Sequence, residues 1–203
     1  IWLSGLRCVA TSLRSAELGR RLGLQIIDLD ALDLGPQATA RPIDLTVDGA
    51  DEIDSALRLT KGAGGALLFE KLVARASKKL VIVADPQKLV DHIGEKRLIP
   101  VEVVAFGARH SLSRLRALPG VLSAELRSKK DGGENELYVT DGGNRIVDVK
   151  LAPVKSAADG DPAALHAAMK ALPGVIETGL FLDEATRILI GNPDGRVEVR
   201  QRS

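Results

Sequence analysis

Residues 43–70 read IDLTVDGADEIDSALRLTKGAGGALLFE. The apolar run at 43–47 suits a short strand. It ends in two acids, Asp48 and Asp51, on a turn that Gly49 lets the backbone make tightly. A short extended piece at 57–60 ends in Lys61 and a glycine-rich loop, Gly62-Ala63-Gly64-Gly65. A helix over about 66–78 follows and carries one acid, Glu70, among apolar neighbours. Residues 80–84, LVIVA, are wholly apolar, as expected of a central parallel strand covered on both faces. Strands alternating with a helix predict a parallel α/β sheet.

In such a sheet, ligands bind beyond the carboxyl ends of the strands. Asp48 stands at one such end. Lys88 follows another through Asp85-Pro86-Gln87. Glycines ahead of a helix let backbone N–H groups converge on an anion, and Lys61 adds a full charge. The loop is neither a Walker sequence nor GxGxxG. Glu70 shares a helix face with Ala66, Leu67, Val73 and Ala74, while Lys71 points elsewhere. A carboxylate on a small apolar face beside such a loop is desolvated, and desolvation raises its pKa toward that of a general base. Each piece also has an ordinary reading: a solvated acidic turn, a structural glycine turn, a surface Glu, a surface Lys. A magnesium site is a further option at Asp48 and Asp51, although no other ligands complete it.

Working outward, residues 6–10 (LRCVA) read as a strand. Thr11 and Ser12 are good N-caps for a helix over 13–23. Leu13, Ala16 and Arg20 lie near one face, with Leu18 and Leu22 adjacent and Gly23 as the stop. Residues 25–29 form a second strand, and 32–41 a loop with Gly35 and Pro36. The pattern changes near Pro100. Strands are expected at 101–106 and 121–126 around a helix at 111–118. A hairpin of 137–140 with 146–149 turns on Asp141-Gly142-Gly143-Asn144. Asp161-Pro162 opens a helix to Leu172, and 175–182 is a strand. Ala-Leu-Pro-Gly-Val occurs twice, at 117–121 and 171–175. It marks two βαβ halves of a ferredoxin-like sandwich, with one strand too many for the minimal version. The tail ATRILIGNPDGRVEVRQ gives two strands around Asn192-Pro193-Asp194-Gly195 that return to the first sheet. The expected architecture is α/β: a Rossmann-like parallel sheet domain (1–99 and 183–203) with a smaller inserted ferredoxin-like α+β domain (100–182).

Composition narrows the function. The chain has 203 residues, 45% hydrophobic and 27% charged, with net charge +1. That balance suggests neither nucleic acid nor a membrane surface. Aromatics at 2% supply little base stacking. Cys8 stands alone in an apolar run, where a buried inert thiol is expected. His92, His110 and His166 show no metal spacing. No apolar run spans a membrane and no signal peptide is visible, so the expected location is cytoplasmic. The chain opens on Ile1-Trp2-Leu3 and not Met, as a fragment would.

The combination of VDGADEID, LTKGAGGALLFEKLV, LVIVADPQKLV, IPVEV, VTDGGNRIVDV and PGVIETGLF, in this order, resembles the ribose-5-phosphate isomerase family, type A, from about Leu6 to the C-terminus. The resemblance implies interconversion of ribose 5-phosphate and ribulose 5-phosphate, without metal or cofactor, by a homodimer or homotetramer. It places Glu70 as the proton acceptor. Asp48-Gly49-Ala50-Asp51 and Lys61-Gly62-Ala63-Gly64 become substrate-binding turns, with Lys88 a further substrate-binding lysine. On that basis Glu70 moves the proton between C2 and C1, Lys61 faces the enediolate oxygen, and Asp48 moves protons between the two oxygens. Asp51 holds hydroxyls and orients the lysine. There are two departures. Ala63 stands where the family has glycine, which constrains φ there. The family's first helix, strand and phosphate loop also precede Ile1, which implies weak phosphate binding and little activity for the chain as it begins here. A non-catalytic sugar-phosphate-sensing domain would need the loops but not Glu70. A coenzyme A transferase-like enzyme would not need Asp48, Asp51 and Lys61.

Overall fold

A computed structural model describes residues 5–32, 41–129, 136–152 and 161–202. The loop expected at 32–41 and the opening Ile1-Trp2-Leu3 lie almost wholly outside the described residues.

Strand β1 (Arg7–Val9) leads through Ser12 into helix α1 (Leu13–Arg21). The Ser15 amide donates to the Ser12 hydroxyl, so the expected N-cap forms. Strand β2 (Gln25–Ile27) returns parallel to β1, with Arg7 opposite Gln25. Small residues let the helix close on this pair. Ala16 and Gly19 are buried, and a Cβ on Gly19 would meet Ile26 Cδ1 at 2.7 Å. Leu13, Leu18 and Leu22 are exposed, so the leucines of α1 do not form its buried face. Cys8 is half-buried, a correction to the buried thiol read from its apolar run: among the described residues β1 pairs with β2 alone.

The parallel sheet is built on β3 (Thr46–Asp48), β6 (Leu80–Ala84) and β12 (Arg187–Gly191). Between β3 and β6 come β4 (Glu52–Ile53), β5 (Leu59–Thr60) and helix α2 (Leu67–Arg75). β12 turns antiparallel into β13 (Val197–Gln201), so the tail does return to the first sheet. β6 is central, as its sequence implies, and among the described residues one of its faces is packed. Leu80 and Ile82 are buried with Ala74, Ile188 and Ile190. Val83 is 51% exposed and its sheet neighbour Val47 61%. An apolar run identifies a central strand but cannot say whether both faces are packed.

Strand β7 (Ile99–Val103), helix α3 (Ala108–Arg116), β8 (Val121–Leu126), β9 (Arg145–Leu151), helix α4 (Pro162–Lys170) and β10 (Val175–Thr178) make an antiparallel sheet of order β10-β7-β9-β8. That is the ferredoxin-like βαββαβ order. The surplus strand disappears. Among the described residues, 137–140 form no strand: Leu137 bridges Ser128 and the Tyr138 amide donates to the Arg127 carbonyl at 2.8 Å, while the turn between Thr140 and Asn144 forms as expected. The repeated Pro-Gly words follow α3 and α4, and each feeds an edge strand. Val101, Val103, Leu115, Val147, Val149 and Met169 fill this core. A short strand β11 (Leu180–Phe181) then pairs with β5, and β5 with β4. Phe181 packs among Ile53, Leu59, Leu80 and Ile82, so this strand joins the two layers.

Candidate active site

The parallel strand β3 carries Asp48 to its carboxyl end, where Asp48 Oδ1 accepts from the Gly49 amide at 2.7 Å. Strand β5 ends beside it and delivers Lys61, which is 3% exposed. The Lys61 ammonium donates to the Gly49 carbonyl at 2.7 Å and pairs with Asp48 Oδ2 at 2.9 Å. It also lies 3.3 Å from Glu70 Oε2. The Phe181 ring supports it from 5.6 Å.

Glu70 stands in the first turn of α2 with its side chain 17% exposed. Burial pushes its pKa above the usual carboxylate range. Lys61 opposes the rise, and Asp48 and Asp51 add to it. Oε2 is buried, and its one close polar contact is the ion pair with the Lys61 ammonium at 3.3 Å. One buried cation therefore stands between two carboxylates. With both ionised the cluster carries a net negative charge, and a proton on Glu70 makes it neutral. Desolvation is the main reason Glu70 holds a proton more readily than an ordinary glutamate, since the pull of Lys61 exceeds the push of Asp48.

The glycine loop sits across this cluster. Gly62 and Gly65 adopt φ of +100° and +89°, and the Gly65 amide closes a turn on the Gly62 carbonyl at 2.9 Å. Ala63 takes an ordinary φ: Leu57 is the one non-glycine residue with positive φ among the described residues. The loop therefore accepts alanine here without backbone strain. Asp51 reaches the loop and not the lysine, its Oδ2 accepting from the Ala63 amide at 2.9 Å. Asp48 and Asp51 are thus engaged with different partners. The α2 N-cap, Ala66, offers no side-chain cap to the first-turn amides.

Two residues that sequence reading missed hold the loop from the ferredoxin-like side. Arg127 donates to the Gly62 and Ala63 carbonyls, each at 3.1 Å, while Asp148 fixes its guanidinium at 2.8 and 2.5 Å. The Tyr138 hydroxyl donates to the Gly64 carbonyl at 3.2 Å, and a Cβ on Gly65 would fall 2.2 Å from that hydroxyl. No local motif marks either residue; only the βαββαβ topology brings them here. Glu52 was missed too. Its buried carboxylate accepts from the amides of Gly94, Lys96 and Arg97 at 2.6, 2.5 and 2.8 Å, which fixes the segment following Lys88.

Of the residues singled out in sequence, the structure brings Asp48, Gly49, Lys61 and Glu70 into direct contact. Asp51, Gly62, Ala63 and Gly64 form the adjoining loop. Ala50 packs half-buried against the hydrophobic cluster below. Lys88 lies in a short 3-10 turn, Pro86–Lys88, after β6 and makes no hydrogen bond or ion pair with the other site residues. Lys71 does point away from Glu70's face, but into the protein, where its ammonium is buried.

Residues 7–195 match the family model for Ribose 5-phosphate isomerase A (phosphoriboisomerase A). Ribose-5-phosphate isomerase A of Roseobacter denitrificans is 42% identical over 195 residues, which is 95% of this chain and 68% of the relative. That of Roseiflexus sp. (strain RS-1) is 44% identical over 96% of this chain and 76% of its own length. Among solved structures, ribose 5-phosphate isomerase from Plasmodium falciparum superposes with a TM-score of 0.82 at 30% identity, over 97% of this chain and 78% of that one. A D-ribose-5-phosphate isomerase in complex with phospho-erythronic acid superposes with a TM-score of 0.83 at 32% identity, over 98% and 79%.

Proposed function

This chain belongs to the ribose 5-phosphate isomerase A family of aldose–ketose isomerases, and we propose that it works through a cis-enediol with Glu70 as the base. In the open-chain aldose, Glu70 takes the proton from C2. The electrons form the C1–C2 double bond, and negative charge develops on O1. Lys61, held between Asp48 and Glu70, faces that charge. Asp48 carries the proton from the C2 hydroxyl to O1. Glu70 then returns its proton to C1, leaving a carbonyl at C2 and the ketose. Asp51 orders the loop of Gly62, Ala63 and Gly64 around the sugar hydroxyls, and Lys88 binds substrate from the β6 side. No step needs a metal or cofactor.

The observation that supports this most is the buried Glu70 Oε2, which accepts no hydrogen bond and stands 3.3 Å from a buried ammonium. Burial raises the proton affinity of this carboxylate against the pull of that ammonium, and the side chain's remaining exposure leaves it open to substrate. The test is ribose 5-phosphate isomerisation by the full-length protein, with chelator present. Glu70→Gln should lower kcat by on the order of 10²–10⁴. Unchanged turnover would overturn the assignment of the base, and loss of activity to chelator would overturn the metal-free route.

On the same reading, residues 1–99 and 183–203 form the catalytic domain and 100–182 a second domain. The enzyme is a cytoplasmic homodimer or homotetramer, which sedimentation of the purified protein checks. No described helix is long and apolar enough to cross a membrane.

A further inference from the structure

Lys71 follows the proposed base directly and is 2% exposed. Its ammonium directs its donors into one segment, to Glu177 Oε1 at 2.9 Å, the Thr178 carbonyl at 2.7 Å and the Leu180 carbonyl at 2.8 Å. The Phe181 ring lies 4.7 Å from it. The same segment holds Lys61. The Lys61 amide donates to the Gly179 carbonyl at 2.8 Å, Thr60 pairs with Leu180, and the Phe181 ring also faces the Lys61 ammonium. Residues 177–181 are therefore a common seat, with α2 tied down through Lys71 and β5 tied down through Lys61.

Energetics give this tie a purpose. A buried ammonium costs several kcal/mol of desolvation, of the order that a well-packed apolar side chain would avoid. Burial accordingly pushes Lys71's pKa down, while Glu177 and the more distant Glu184 oppose the fall and Arg75 adds to it. Stability alone does not call for a lysine here. Geometry does. Successive helix residues differ by about 100° and 1.5 Å of rise, so a bond network that fixes Lys71 fixes where Glu70 points on the other face. We infer that Lys71 is a positioning residue for the isomerisation, setting the Glu70–Lys61 distance by registering α2 on residues 177–181.

This inference rests on Glu70 being the base, and the experiment separates the two. Lys71→Met, Glu70→Gln and the double variant are made in the full-length protein and assayed for ribose 5-phosphate isomerisation. Lys71→Met should lower kcat by on the order of 10²-fold, the cost of misplacing a reacting group by about 1 Å, with KM within about threefold of wild type. The double variant should be no slower than Glu70→Gln alone, because a residue acting through the base has nothing left to position. A purely structural role would instead add its full loss in both backgrounds. Wild-type kcat in Lys71→Met, or full additivity, overturns the inference while a slow Glu70→Gln leaves the base reading standing. A fast Glu70→Gln overturns both. Should Lys71→Met fail to fold, Glu177→Gln keeps both carbonyl bonds and should still lower kcat roughly 3–10-fold at constant KM. An unchanged kcat there refutes the positioning role.

Discussion

Gly179 sits where strand β11, the residue after β5 and the start of β7 meet. Its amide donates to the Pro100 carbonyl at 2.7 Å, and its carbonyl accepts from the Lys61 amide at 2.8 Å. A Cβ built there would lie 2.2 Å from the Lys61 carbonyl oxygen, 2.9 Å from Pro100 Cδ and 3.2 Å from the Pro100 carbonyl oxygen. The nearest atom belongs to backbone, so no side-chain rotation relieves the clash. Gly179→Ala must push β11 away from Lys61. Two backbone hydrogen bonds then weaken at about 1 kcal/mol each. Overpacking adds about 1–3 kcal/mol. The expected loss is roughly 3–5 kcal/mol, or about 6–20 °C in Tm for a chain of this size. Activity measured well below that Tm should also fall by on the order of 10²-fold, because Lys61 moves with the strand. Gly64→Ala is the control: nothing lies within 4 Å of its added Cβ, so stability should stay within about 0.5 kcal/mol. Urea or thermal unfolding of the two variants decides it. If Gly179→Ala unfolds with wild type, or if the two variants lose equally, the seat at 177–181 is not tightly packed and the reasoning fails.

The remaining predictions concern the charges. Glu70's folded pKa is raised, so activity should fall as pH drops through a value above the ordinary carboxylate range. Lys61→Met removes the opposing attraction and should move that acid limb of kcat/KM higher still in the residual activity. The same shift means the folded protein binds this proton more tightly than the unfolded chain does. Ionised Glu70 therefore costs stability that is absent below the unfolded pKa and grows as pH rises to the folded one. Glu70→Gln should accordingly match or exceed wild-type stability at neutral pH in urea unfolding, even as it loses turnover. Arg127→Met should free the Gly62 and Ala63 carbonyls and raise KM roughly tenfold with a smaller change in kcat. An unchanged KM would show that the loop holds its shape without the arginine.

Most of the fold was legible because local signals carried it. Ser12 and Asp161 cap their helices as their types and positions suggest, and the Asn192–Gly195 turn joins the two tail strands. Two of the differences share a cause. Apolarity at 80–84 and along α1 identified the elements but not which faces are covered, since packing depends on neighbours that periodicity does not name. The charged cluster was legible for the opposite reason. Asp48, Lys61 and Glu70 each sit at an element's end or first turn, where sequence fixes position well. Arg127, Tyr138 and Glu177 lie more than 60 residues further along the chain from their loop and helix partners, so only tertiary structure could join them.

The pair Glu70–Lys71 shows how far a single helix turn can be read. Both residues are charged, and sequence alone assigns one to the site and points the other elsewhere. The structure buries Lys71 and half-buries Glu70, on faces about 100° apart. The difference lies in satisfaction. Lys71 meets a carboxylate and two carbonyls and is fully engaged. Glu70 Oε2 accepts no hydrogen bond. A buried group that is fully bonded fixes geometry, because moving it breaks bonds that the interior cannot replace. A buried carboxylate oxygen left without a hydrogen bond takes up a proton more readily, because desolvation outweighs the opposing pull of Lys61. Helix α2 thus carries the proposed positioning residue and the proposed base side by side, so little backbone lies between them to absorb error. Kinetic coupling between positions 70 and 71 should for this reason be larger than between 70 and any other residue of α2.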